Sequence, residues 1–82
     1  MNKIQKLKLL NEFRECYSLM GYTNTLGVFF VINQMRFFNT ITIEEMQFLI
    51  DYCKPEFQLK EIEVIENLNW IDEQIEIISN EN

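Results

Sequence analysis

The chain has 82 residues, 48 % of them hydrophobic, with eleven aromatics, two glycines, one proline and a formal net charge of −6. That is too apolar for disorder and too poor in Gly and Pro for a turn-dense β-sandwich, and the length suits one domain near the lower limit for an unaided core. The charge is uneven: residues 1–14 carry +3, residues 15–43 cancel, and residues 44–82 set two lysines against eleven acids, giving −9. An acidic larger half is repelled by phosphate backbones, which disfavours nucleic acid as a partner, while the asymmetry lets basic and acidic ends attract within one molecule or between two.

In chain order, Ile4, Leu7, Leu10, Phe13, Tyr17 and Met20 recur at three- and four-residue steps and predict a first amphipathic helix. Gly21 stands where a left-handed residue past the helix end belongs, and Tyr22-Thr23-Asn24-Thr25 reads as the following turn. Lys3, Lys6 and Arg14 line its polar face. A membrane-surface role is the rival to a solvated face, and Glu12 and Glu15 on the same helix count against it.

Leu26 to Phe38 carries β-branched and aromatic residues that suit a strand. Its spacing suits a helix, with Val28, Val31, Met35 and Phe38 in one row and Leu26, Phe30 and Phe37 in a second. A lone strand has no partner elsewhere in the chain, so the expectation is a second helix, capped by Thr25, central and buried on most sides. Thr42 with Glu45 then forms a capping box, and Ile41 with Met46 a hydrophobic staple. They predict a third helix from Ile43 to about Cys53, with Ile43, Met46, Leu49, Ile50 and Cys53 inward and Pro55 as its terminator.

From Phe57 to Ile78, Ile62, Ile65, Leu68, Ile71, Ile75 and Ile78 follow helical steps opposite an acidic face of Glu61, Glu63, Glu66, Asp72, Glu73 and Glu76. Asn67 and Asn69 are mediocre helix formers, and Asn69 with Asp72 is a candidate fresh cap, so one helix or two are both open. Residues 79–82 are expected to fray. The reading is a single all-α domain over residues 1–82, a small bundle of four helices, or five if the tail divides.

What the chain lacks narrows its chemistry. Without histidine there is no Ser-His or Cys-His pair and no imidazole metal ligand; two isolated glycines make no phosphate loop. Cys16 and Cys53 have no metal-ligand spacing and read as free thiols of a reducing cytosol. Glu44-Glu45 and Asp72-Glu73 are adjacent on helices and diverge, so they read as a solvated acidic face. No catalytic residue, cofactor or metal site is expected. Lys3, Lys6 and Lys8 interrupt any secretory segment, and the run Val28–Ile32 falls far short of the ~20 residues of a membrane span. A helix-turn-helix DNA binder is disfavoured because the best-placed helix opens with Glu44 and Glu45 and holds Asp51.

Protein binding remains. A short chain with this many large side chains is expected to leave apolar surface over for a partner or a second copy, the alternative being that all eleven aromatics are core. The anchors expected are aromatics off the helical stripes: Tyr22, Phe29, Phe37, Phe48, Tyr52 and Trp70, with Glu73 on the acidic rim. For Phe37 and Phe48 a second core face competes with that role. An amphipathic helix laid into a groove between the helices fits such a surface.

The opening Met1-Asn2-Lys3-Ile4-Gln5-Lys6-Leu7-Lys8-Leu9-Leu10-Asn11-Glu12-Phe13-Arg14-Glu15-Cys16, the length, and the Asn/Ile/Glu/Lys-rich usage resemble the RIII lysis-inhibition proteins of T-even bacteriophages. The resemblance covers the whole chain and rests on no diagnostic motif, so no binding residue is carried over. It implies a cytoplasmic antiholin of the infected bacterial cell, which binds the cytosolic N-terminal segment of the phage holin and delays lysis. Rival readings are a homo-oligomeric helical module and an inhibitor of another host protein.

Overall fold

The computed structural model describes residues 1–24, 27–58 and 63–81, with the backbone alone at 21–24, and among these residues every regular element is a helix. α1 spans Lys3–Asn24, α2 Val28–Phe37, α3 Ile43–Phe57 and α4 Val64–Ser79. The all-α bundle of four helices is what the periodicity predicts; of the tail, Val64–Ser79 is one helix, Phe57 belongs to α3, and residues 59–62 lie outside the described residues.

Each helix start and stop has a local cause. At the head of α1, Asn2 Oδ1 accepts the Gln5 amide at 2.8 Å while Gln5 Oε1 accepts the Asn2 amide at 3.0 Å. This reciprocal cap escaped the sequence reading because Asn-x-x-Gln is a less familiar form of the capping box. α1 then runs through Gly21 to Asn24, so Gly21 does not terminate it and Tyr22 lies in its last turn. An interior glycine costs a helix about 1 kcal/mol, little against the stripe that α1 buries.

α2 begins at Gly27, which makes no side-chain cap bond; the expected cap, Thr25, lies outside the described residues. Its end is a Schellman turn: Asn39 is left-handed (φ 58°), the Asn39 amide donates to Arg36 O at 3.0 Å and the Thr40 amide to Met35 O at 2.8 Å. Asn is among the few residues that accept this conformation without much strain. Three residues on, the capping box is present as read: Thr42 Oγ1 accepts the Glu45 amide at 3.1 Å and Glu45 Oε1 accepts the Thr42 amide at 2.8 Å.

Pro55 does not stop α3, which continues to Phe57. A proline within a helix costs about 3 kcal/mol through a lost bond and a ring clash. Here it stands in the last turn, and two residues later Phe57 is buried against Trp70 with ring centroids 4.9 Å apart. Burying a phenylalanine contributes roughly 1.5–3 kcal/mol, enough to offset most of that cost. Asn69 likewise falls inside α4 rather than capping a new helix.

α1 packs against α4 and α2, and α2 against α3. Contact on two sides widens the buried arc of α1 to Leu9, Leu10, Phe13 and Tyr17, each 1 % exposed or less. The stripe read from sequence is correct in its middle and wrong at its start, where Ile4, in the first turn of α1, is exposed. Ile43 and Ile65 are exposed for the same kind of reason, each standing in the first turn of its helix; Ile62 lies outside the described residues. Leu49, Cys53, Leu68, Ile71 and Ile78 are buried as read, and Met46, Ile50 and Ile75 pack partly buried around them. The Cα radius of gyration, 11.9 Å, matches the roughly 12 Å of a fully packed chain of this length.

The charge asymmetry is used inside the molecule. Arg14 Nε and Nη2 donate to the two Asp72 oxygens at 2.6 and 3.2 Å, and Lys3 Nζ donates to Glu81 O at 2.6 Å, laying basic α1 along acidic α4. Between them Asn67 Nδ2 donates to the Tyr17 hydroxyl at 2.9 Å, both residues being buried.

Candidate functional site

α3 presents two adjacent rows to the bundle. Leu49, Cys53 and Phe57 are buried, and beside them Phe48 and Tyr52, one turn apart, are half-buried with stacked rings 5.5 Å between centroids. On α4 the matching row is Trp70 and Gln74, again one turn apart. Tyr52 meets Trp70 at 5.9 Å, and its hydroxyl donates to Gln74 Oε1 at 2.7 Å. Phe57 closes the cluster edge-on to Trp70. Long aromatic side chains thus join α3 and α4 in a seam in which Phe48, Tyr52 and Trp70 are half-buried.

Acid borders this seam. Glu73 is exposed on α4 one turn from Trp70, and with Glu76, Ile77 and Asn80 it lines a shallow depression of about 250 Å³. Asp51 is exposed on α3 and accepts a bond from Gln47 Nε2 at 2.9 Å.

The two thiols and the Tyr52 phenol are all shifted toward their neutral forms. Burial pushes the Cys53 thiol from 9.0 up to about 12. Burial, reinforced by Glu15 and Glu12, raises Cys16; burial, with Cys53 and Glu81, raises the Tyr52 phenol. An activated thiol requires the opposite shift. Among the described residues no three Cys, Asp or Glu side chains stand together in a way that would hold a metal ion, and no helix is long and apolar enough to cross a membrane.

The structure gathers three of the anchors read from sequence, Phe48, Tyr52 and Trp70, with Glu73 beside them. Phe29 is half-buried against the core, as these three are, but stands on α2, apart from the seam. Phe37 is 75 % exposed on a different face, in an edge-on pair with Phe38 at 5.2 Å. The Tyr22 side chain lies outside the described residues. α2 is covered on most sides, with Val28, Val31, Ile32 and Met35 buried and Phe29, Gln34 and Arg36 half-buried, but one face, Phe30, Asn33 and Phe37, is exposed. Phe30 and Phe37 are seven residues apart and so share the face opposite that row. That spacing was visible in the sequence, but what covers the face was not. Phe57, read as the head of the tail, and Gln74 were missed as members of the seam.

No protein-family profile, curated protein or solved structure matches this chain.

Proposed function

We propose that this chain is a non-enzymatic protein-binding module that acts as a cytoplasmic antiholin of the kind its sequence resembles. It captures the cytosolic N-terminal segment of a phage holin and so delays lysis of the infected bacterium. The observation that carries the reading is the seam of Phe48, Tyr52 and Trp70, half-buried and bordered by acid on α4. An amphipathic segment laid along it covers the remaining faces of these rings, and basic residues of that segment meet Glu73 and Glu76. A holin segment held this way is unavailable for assembly in the membrane. No catalytic step is needed; occupancy alone sets the delay.

The chain's single tryptophan stands in the seam, so its fluorescence reports occupancy directly. Titration with the soluble N-terminal holin segment is expected to give a saturable shift in Trp70 emission and a negative heat-capacity change. Raising the salt concentration weakens binding, because the acidic border is exposed and screened. Glu73→Lys lowers affinity about three- to tenfold and flattens the salt dependence, in keeping with roughly 1 kcal/mol for an exposed charge pair. Absence of saturable binding at tens of micromolar by folded protein sinks the antiholin reading.

A further inference from the structure

We infer that the outward face of α2 is a self-association surface, and that its occupant is a second copy of this chain. The inference does not depend on the seam between α3 and α4. Phe30, Phe37 and Phe38 are 48 %, 75 % and 64 % exposed, and Asn33 between the rings is exposed as well. At roughly 200 Å² per ring residue, the three phenylalanines leave about 370 Å² of apolar surface per copy. That is close to half of the ~800 Å² per partner in a standard interface.

The arrangement is self-complementary. Phe30 and Phe37 stand two helical turns apart, about 10.5 Å along the axis and on one side. A two-fold axis passing between Asn33 and Gln34 sets two α2 helices antiparallel, with Phe30 of one copy against Phe37 of the other and the reverse. This is the requirement of an isologous dimer, in which one patch meets itself. The Asn33 amide, carrying both donors and an acceptor, sits near the axis, where it pairs with its own copy.

Charge selects the occupant. Two molecules of net charge −6 repel each other, and between Glu15 and Glu44 the chain holds no acid at all. The charge in that stretch is Arg36, whose guanidinium is turned to Asn39 Oδ1 at 2.9 Å and Ile41 O at 3.5 Å. α2 therefore offers a face on which like molecules meet with little mutual repulsion. Within α2 a basic helix finds no acid to pair with, Glu44 and Glu45 lying beyond its end in a depression they line with Arg36, and an acidic one finds a cation already engaged. A neutral apolar face of matching spacing is what fits, and α2 itself is one.

Sedimentation velocity of the full chain under reducing conditions, over a concentration series at low and high salt, tests this. The weight-average mass is expected to rise from monomer to dimer, and the transition to move to lower concentration at high salt, as screening relieves the net repulsion. Phe37→Asp and Phe30→Ser each weaken association at least tenfold while circular dichroism stays at the parent level. Ile65→Asp, an exposed position on α4, leaves association unchanged. A parent monomeric to several hundred micromolar at both salts overturns the inference, as does undiminished association of folded Phe37→Asp. Phe37→Asp is also expected to bind the holin segment as the parent does. Loss of segment binding by this variant, with a monomeric parent, would assign the α2 face to the segment rather than to a second copy. Failure of the segment to bind any variant, with dimerisation intact, would count against the antiholin reading alone.

Discussion

The α1–α4 pair and the α2–α3 pair are held by different physics. α1 and α4 lie far apart in sequence and meet through an ion pair, Arg14 with Asp72, and a buried polar contact, Tyr17 with Asn67, while Lys3 donates to the backbone carbonyl of Glu81 just past α4. α2 and α3 are neighbours, turned back on each other by a Schellman turn at Asn39 and a capping box at Thr42, and they pack through apolar residues. The first pair uses its polar groups on itself. The second satisfies its backbone within a five-residue loop, 38–42, and leaves one side of α2 apolar and uncovered. An apolar face is left over on α2, whose one charge is Arg36, whereas basic α1 and acidic α4 are complementary to each other.

The largest expected effect contrasts a ring inside this arrangement with one outside it. Phe13 is fully buried where α1 enters the core, and Phe37 is exposed. Phe13→Ala is expected to cost about 3–5 kcal/mol in urea unfolding, and Phe37→Ala less than about 0.5 kcal/mol. Comparable losses at the two sites would mean that α2 is packed on both faces and would break the comparison.

A smaller effect tests the buried polar contact. Tyr17→Phe leaves the Asn67 amide without its partner in the core and is expected to cost roughly 1–3 kcal/mol. The double variant Tyr17→Phe/Asn67→Leu should recover much of that loss, since no polar group is then left unpaired. A double variant as unstable as the sum of the singles would show that each residue acts through packing alone.

The smallest effect belongs to the ion pair. Arg14 and Asp72 are bidentate but well exposed, 38 % and 47 % at their side chains. Solvent screening holds such a pair to about 1 kcal/mol or less. Asp72→Asn should therefore lower stability by no more than that, and the difference should vanish in high salt. A cost of several kcal/mol surviving in salt would make the charge, rather than the buried row beneath it, the element that aligns α4 on α1.

Much of the fold was legible because its signals are local. The i, i+3, i+4 rows identified four helices, and Thr42 with Glu45 placed the start of α3. Two stop signals were misread for one reason. Gly21 and Pro55 each carry a cost of a few kcal/mol at most, and tertiary burial outweighs it, through the stripe that α1 buries before Gly21 and through Phe57 after Pro55. The seam was half legible. Phe48, Tyr52 and Trp70 stood off the main stripes and were picked for that. Nothing in the sequence showed that Trp70 would lie between Tyr52 and Phe57, or that Phe29 would turn inward while Phe30 and Phe37 turned out.

By itself the sequence determined the helical class, the caps, the acidic surplus and the lack of imidazole chemistry, all properties of composition or of residues within one or two turns of each other. Tertiary structure alone decided that the basic end of the chain neutralises part of its own acidic half, that Asn67 is a core residue, and which aromatics remain uncovered. Those outcomes depend on which helix face meets which. That choice is made by the summed burial of side chains some fifty residues apart, and no local pattern encodes it.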